Sequence, residues 1–358
     1  MEKTKKDIKK IGILTSGGDS PGMNAALRAI TRSAISQGIR VIGILKGYRG
    51  LIDGELIEFD ARHVSNIITK GGTILYSDRC DEFKTDEGMK KAVDTCKEYG
   101  IDGIVAIGGD GTFRGGADLS RLGIPTVGIP ATIDNDITAT DYAIGFDTAM
   151  NTVVEMVDRL RDTCESHARC SVVEVMGRDA GYIALECGIA VGAIGIAINE
   201  IPFDEDECIK RILEGKKTKK RNNLVLVSEG MGDTYAEYFS NKIQEETGVE
   251  SRFARLAHVQ RGGSPTARDR LIATLMGNRA ITLLLDGKKD MVVCMENNEI
   301  TEFDIEYAFN LDKRYKGKMS DEDFNLLNKT ERERIDARVK LRRAKMKEMY
   351  EIAKIMSL

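Results

Sequence analysis

Short apolar runs that stop at glycine, each followed by a helical stretch, constrain the fold of this chain more than any other feature. The clearest case is Gly103–Ile107 (GIVAI), whose β-branched content suits a strand buried in a parallel sheet. It ends at Gly108, Gly109, Asp110, Gly111 and Thr112. Glycines let a backbone approach a bulky anion, and a helix beginning near Thr112 would aim its free N–H groups there. An aspartate in such a loop repels a bare phosphate but suits Mg²⁺, an oxygen-seeking ion that phosphates carry with them. A second run, Thr126–Ile129, stops at Pro130 and delivers Thr132, Asp134 and Asp136. Two carboxylates two residues apart in an irregular segment can face one pocket, where one acts as a base. Singly, these glycines would make a tight turn and the aspartates would cap helices. Together, within Ile107–Asp136, they point to phosphoryl transfer.

The pattern repeats. A strand at Lys9–Thr15, a turn from Ser16 to Gly22, a helix over Met23–Gln37 stopped by Gly38, and a strand at Arg40–Leu45 form one βαβ unit. A helix at Asp86–Tyr99 leads into the central strand. Helices at Thr148–Thr163, Tyr182–Val191, Asp204–Glu214 and Tyr235–Thr247 alternate with strands at Ser171–Met176, Ile194–Ile198 and Leu224–Ser228. This alternation predicts parallel sheets covered by helices on both faces, with ligands beyond the carboxyl ends of the strands. The tail differs. Thr330 and Glu333 make a capping-box signature, and Glu331–Ile355 reads as one basic helix with Ile335, Val339, Met346 and Met349 on a stripe. That helix is expected to be solvated or to pack against another subunit, rather than to bind nucleic acid or membrane.

A length of 358 residues allows two domains with proper cores. An apolar share of 42% and a charged share of 31% are those of a soluble globular protein, and a net charge of −4 argues against a general nucleic-acid binder. No apolar run reaches the length of a membrane span, and MEKTKKDIKK lacks a signal peptide's apolar core. The seven cysteines are scattered without CxxC spacing, as expected of reduced thiols in a cytoplasmic protein. With three histidines, a histidine-rich metal site is nearly excluded.

Six segments, TSGGDSPGMNA, IGGDGT, PATIDND, RLRD, EVMGRDAGY and HVQRGGSP, together resemble the ATP-dependent 6-phosphofructokinase family from about Ile8 to Lys316. The resemblance implies an α/β fold of two doubly wound three-layer domains with parallel-rich sheets, an active site in the cleft between them, and a C-terminal helical extension. It implies a nucleotide-binding domain at 1–145 plus about 258–303, a sugar-phosphate domain at 146–257 plus about 304–318, and an extension at 319–358. It further implies that Gly18, Arg79, Cys80 and Gly109, Asp110, Gly111 and Thr112 hold ATP, with Asp110 reaching Mg²⁺. Cys80 stands where an aromatic residue is common. Thr132, Ile133 and Asp134 match the sugar-binding and catalytic segment. Asp134 would take the proton from the 1-hydroxyl of fructose 6-phosphate, supported by Asp136. Arg178, with the backbone of Met176 and Gly177, would stabilise the transferring phosphoryl group, and Glu229 would bind sugar hydroxyls. His258 and Arg261 match the 6-phosphate site. Arg169 and Arg252 match arginines that reach the sugar phosphate from a neighbouring subunit of a homotetramer.

Pyrophosphate-using relatives usually carry aspartate where this chain has Gly111 and lysine where it has Ala131. Gly111 leaves room for the α-phosphate of ATP, so both positions point to ATP. Arg28, Arg32, Arg161 and Lys220 match basic residues of a bacterial effector site for ADP or phosphoenolpyruvate. Ala61, Ile194, Thr218 and Asn222 replace that site's arginine, glutamate, lysine and histidine, which predicts weakened or altered allosteric control. The rival readings are a pyrophosphate-dependent enzyme and a catalytically silent regulatory subunit. NAD kinases share the GGDG loop but lack PATIDND and HVQRGGSP, and no GxGxxG follows the first strand as a dinucleotide oxidoreductase would require.

Overall fold

The computed structural model describes residues 8–357; Met1–Asp7, read above for a leader, and Leu358 lie outside them. In chain order the elements begin β1 (Lys10–Ser16), α1 (Met23–Ser36), β2 (Arg40–Ile44), α2 (Tyr48–Asp53), β3 (Leu56–Phe59), α3 (Asp86–Glu98), β4 (Gly103–Gly108), α4 (Asp110–Arg121) and β5 (Thr126–Pro130). They continue with α5 (Phe146–His167), β6 (Cys170–Val175), α6 (Tyr182–Ala190), β7 (Gly195–Ala197), α7 (Glu205–Lys217), β8 (Asn223–Ser228), α8 (Tyr235–Thr247) and β9 (Ser251–Arg255). The last are α9 (Ala267–Leu285), β10 (Met291–Glu296), β11 (Glu299–Asp304), α10 (Ile305–Tyr315), α11 (Asp321–Leu326) and α12 (Lys329–Met356). No helix of the described residues is long and apolar enough to cross a membrane.

Contacts divide the chain into two units. The first comprises residues through Ile133, then Ile137–Thr148 and Arg261–Asp336. Its seven-stranded sheet runs β11-β10-β5-β4-β1-β2-β3. The inner strands are parallel, and β1 and β4 are almost wholly buried, as continuous apolar runs require. The outermost pairs, β2 with β3 and β10 with β11, are antiparallel, which alternation alone did not reveal. Asn297 and Asn298 turn the β10–β11 hairpin with φ of 51° and 65°, left-handed values that asparagine tolerates. Residues 304–318, expected with the second domain, and 319–336, expected in the extension, fall in this first unit. The physical reason is local. Strand β11 pairs with β10 along its length, and Asp304 caps α10. Arg334 then lies over the rings of Tyr307 and Phe303 at 4.4 and 5.0 Å.

One buried carboxylate ties distant segments of this unit together. Asp269, on α9 and fully buried, accepts hydrogen bonds from Tyr142 Oη (2.6 Å), Gly145 N (2.7 Å), Thr148 N (2.9 Å) and Thr148 Oγ1 (2.5 Å). Burial pushes its carboxyl above the usual range while these donors oppose the rise.

The second unit comprises Asp134–Asp136, Ala149–Gln260 and the residues from Ala337. Its four strands, β7-β8-β6-β9, are all parallel. Ile194, Cys208, Ile212, Val225 and Phe239 form part of the core between this sheet and helices α7 and α8. All seven cysteines are free, and burial pushes the Cys208 thiol up to about 12, which makes it an inert core thiol.

Helix α12 starts two residues earlier than the capping box suggested: Asn328 Oδ1 accepts from Glu331 N at 2.9 Å. Its stripe is neither solvated nor left for another subunit. Ile335, Val339, Arg342, Met346, Tyr350 and Ala353 are buried within the same chain, and Met349 is half-buried. At its end, Tyr350, Ala353 and Ser357 share a small cavity with Ile194, Cys208 and Arg211, and Arg211 donates to Lys354 O at 3.2 Å and to Ser357 Oγ.

Candidate active site

In the first unit, β4 delivers the glycine loop straight into α4, which begins at Asp110 rather than near Thr112. A carboxylate in the first turn is favoured by the helix dipole. Gly108 is required for packing: a Cβ there would lie 2.3 Å from Thr112 Oγ1 and 2.4 Å from Ser16 O. Thr112 Oγ1 donates to Ser16 O at 2.9 Å, fastening the loop to the end of β1. Gly109 and Gly111 are different, for nothing lies within 4 Å of a Cβ placed at either. Their emptiness leaves room for a ligand against the backbone. Asp110 is ion-paired with Arg114 at 2.8 Å, one helical turn on. Ala131 N donates to Gly108 O at 3.0 Å, so the segment carrying Thr132 and Ile133 starts beside this loop. Arg261 Nη1 donates to Asp19 O at 3.3 Å, and a Cβ at Gly18 would lie 2.8 Å from that nitrogen. Arg79 is exposed, whereas Cys80 packs against the core around Tyr48 and Phe83.

In the second unit, β6 ends at Val175 and the next residues make a constrained loop. Gly177 has φ 149° and Arg178 has φ 54°, a left-handed value that costs a side-chain-bearing residue about 1 kcal/mol. The surroundings hold it there. Glu229 Oε1 accepts from Gly177 N (3.1 Å) and Arg178 N (2.7 Å), and Gln260 Oε1 accepts from Met176 N (3.3 Å). Asn199 Nδ2 donates to Asp179 O (2.8 Å), and Glu200 Oε1 accepts from Gly181 N (2.9 Å). Asn135, with φ 51°, reverses the chain between Asp134 and Asp136. Both carboxylates therefore reach Arg178: Nε is 3.8 Å from Asp134 Oδ2, and Nη1 is 4.0 Å from Asp136 Oδ2. The Asp134 side chain is 2% exposed and that of Arg178 is 60% exposed, so a buried carboxylate faces a cation open to a ligand.

Arg169 and Arg252 are not brought to this place. They flank the starts of β6 and β9, at the opposite end of the sheet from Arg178. Glu250 pairs with both, at 2.8 Å from Arg169 Nε and in a short contact with Arg252 Nη2. His258 is exposed in the turn after β9. Arg161 donates to Val191 O, Lys220 packs its stem near Gly215, and Arg28 and Arg32 lie on α1 of the first unit. Ile194, where the effector site would offer glutamate, is buried in the core under α7.

Sequence reasoning missed Asn135, Gln260 and Glu200. Asn135 was legible as a left-handed-tolerant residue between two aspartates. Gln260 and Glu200 act through single backbone contacts with residues far along the chain and leave no local signal. Glu229, expected against sugar hydroxyls, here spends one oxygen on the loop bearing Arg178.

A family model described as phosphofructokinase matches residues 10–284. The chain is 52% identical over 312 residues to the ATP-dependent 6-phosphofructokinase of Clostridium tetani (strain Massachusetts / E88), covering 87% of this chain and 97% of that one. It is 52% identical over 308 residues to ATP-dependent 6-phosphofructokinase 1 of Clostridium perfringens (strain 13 / Type A), covering 86% and 96%. Among solved structures, phosphofructokinase from Saccharomyces cerevisiae superposes with a TM-score of 0.84 at 32% identity, covering 96% of this chain and 50% of that one. The chain belongs to the phosphofructokinase family.

Proposed function

We propose that the chain transfers the terminal phosphoryl group of ATP to the 1-hydroxyl of fructose 6-phosphate, giving fructose 1,6-bisphosphate and ADP. The reading is carried by one observation: Asp134, Asp136 and Arg178 converge within 4.0 Å. Asp134 accepts the hydroxyl proton as the new O–P bond forms and the bond to the ADP oxygen breaks. Arg178, held between two carboxylates but largely exposed, meets the negative charge spread over the moving phosphoryl oxygens. Asp136 fixes the guanidinium's other end. The open backbone at Gly109 and Gly111 cradles the nucleotide phosphates, and Gly111 leaves the space that ATP needs. The glycine loop of the first unit thus serves the nucleotide, and Asp134, Asp136 and Arg178 of the second carry the phosphoryl-transfer chemistry.

Asp110 fits Mg²⁺. It is a single hard oxygen ligand at a helix start, and no cluster of three acidic, histidine or cysteine residues forms a cage among the described residues. Mg²⁺ is ordinarily held by one or two carboxylates plus substrate phosphates, where it neutralises phosphate charge. His258 and Arg261 take the 6-phosphate. Arg169 and Arg252 stand at the far end of β6 from Arg178, so we assign them to the site of a second copy of the chain, in at least a dimer. A homotetramer is what the family resemblance implies. We place the enzyme in the cytoplasm.

The test is the rate of fructose 1,6-bisphosphate formation by purified protein with Mg²⁺, comparing ATP with pyrophosphate. ATP-only activity is expected. Activity with pyrophosphate alone would transfer the function to the pyrophosphate-dependent reaction, and none with either would leave a regulatory subunit.

A further inference from the structure

The tail helix α12 lies beyond the residues, 10–284, that the family model matches, yet one of its buried side chains meets the start of α6. Arg342 is 7% exposed. Its Nε and Nη2 donate to Tyr182 Oη at 3.3 and 3.2 Å, and its Cζ stands 5.3 Å from the centre of the Tyr182 ring. Tyr182 is the first residue of α6, and Arg178 sits four positions before it. The loop between β6 and α6 is therefore pinned at both ends. Glu229 and Gln260 hold its entry, Glu200 and Asn199 hold its exit, and Arg342 fixes the residue on which it lands.

We propose that Arg342 and Tyr182 are positioning residues for Arg178, so that α12 is a working part of the catalytic centre. The idea rests on the assignment of Arg178 as the group that stabilises the transferring phosphoryl. The physical ground is the backbone of Arg178, whose left-handed φ of 54° persists only while neighbours over-determine it. A cation at the start of a helix is disfavoured by the dipole, so the Arg342 contact is sustained by its side-chain partners rather than by helix electrostatics. A loosened α6 start lets the loop relax, and a guanidinium misplaced by about 1 Å stabilises the transition state poorly while substrates still bind. The effect falls on kcat.

The experiment is a double-mutant cycle with kcat, both KM values and Tm measured for each protein. Arg342→Ala is expected to lower kcat about tenfold with both KM values within about twofold of the parent. Arg342→Lys, which keeps the cation but not the two-donor fork, recovers part of the loss. Tyr182→Phe, which keeps the ring and removes the acceptor, gives a smaller fall and serves where Arg342→Ala folds poorly. In an Arg178→Ala background, Arg342→Ala should change kcat less than about twofold, because the group it positions is gone. Equal factors in both backgrounds would reveal a purely structural contact and overturn the proposal, as would an unchanged kcat in Arg342→Ala. If Arg178→Ala itself keeps full kcat, the assignment of Arg178 fails and takes the proposal with it. An impaired Arg178→Ala beside an unimpaired Arg342→Ala defeats the proposal alone.

Discussion

Two loops at the carboxyl ends of parallel strands carry the proposed chemistry, and they are built on opposite plans. The loop after β4 is empty: a Cβ at Gly109 or Gly111 would touch nothing within 4 Å. The loop after β6 is crowded: a Cβ at Gly177 would lie 2.3 Å from Ala180 O, and side chains from distant segments take up the amides of Met176, Gly177, Arg178 and Gly181. A backbone that binds phosphate through its own N–H groups needs clearance. A side-chain cation that acts on one moving group needs a fixed base. The contrast teaches that glycine has two uses here, space in the first loop and a permitted backbone angle in the second.

The largest test removes the chemistry that the crowded loop serves, at Arg178 and at the carboxylate facing it. Asp134→Asn should keep the site's shape and lower kcat by roughly two orders of magnitude or more, and Arg178→Ala by a comparable amount, in steady-state assays with ATP. Near-normal turnover in Asp134→Asn would reject it as the base. Next, Gly177→Ala should destabilise the fold by about 2 kcal/mol in urea unfolding and depress kcat severely, since it meets both a positive φ and a backbone oxygen. Gly111→Ala should leave the unfolding free energy in urea unchanged within about 0.5 kcal/mol and act only through a raised KM for ATP. Equal destabilisation by the two alanines would erase the distinction between the loops.

The smallest expected effect lies at Glu200, whose carboxyl burial pushes above the ordinary value. A raised folded-state value means its contribution to stability is full below the ordinary carboxylate range and is lost as pH rises through the raised value. Glu200→Gln keeps an oxygen for Gly181 N and removes that loss. The variant should therefore gain stability on the parent as pH is raised above the carboxylate range, measured by urea unfolding at several pH values. The effector reading predicts a further null result: ADP should leave the fructose 6-phosphate saturation curve unchanged, and strong activation would refute it.

The elements were legible where one short stretch states its own outcome. Gly103–Ile107 followed by GGDGT announces strand, turn and helix, and the structure places that strand at Gly103–Gly108. The antiparallel strands β3 and β11 were not legible, because they are short, mixed in polarity and defined by their partners. The site divides in the same way. PATIDND and GRDAGY exposed Asp134, Asp136 and Arg178, whereas the supports of the loop bearing Arg178 lie far along the chain, as Gln260 does, 84 residues from its partner Met176. The tail helix showed its stripe plainly, but not what the stripe would cover.

The strand order of the first sheet has a consequence for how the chain is made. Strand β5 pairs on one side with β4, its near neighbour in sequence, and on the other with β10, which begins at Met291. During synthesis β5 leaves the ribosome roughly 160 residues before β10, an interval of about 8–30 s at about 5–20 residues per second. Throughout it, one edge of a buried apolar strand has no partner, inviting pairing with another nascent chain. A chaperone that shields this edge until α9 and β10 emerge would raise the yield of soluble enzyme without altering the finished molecule.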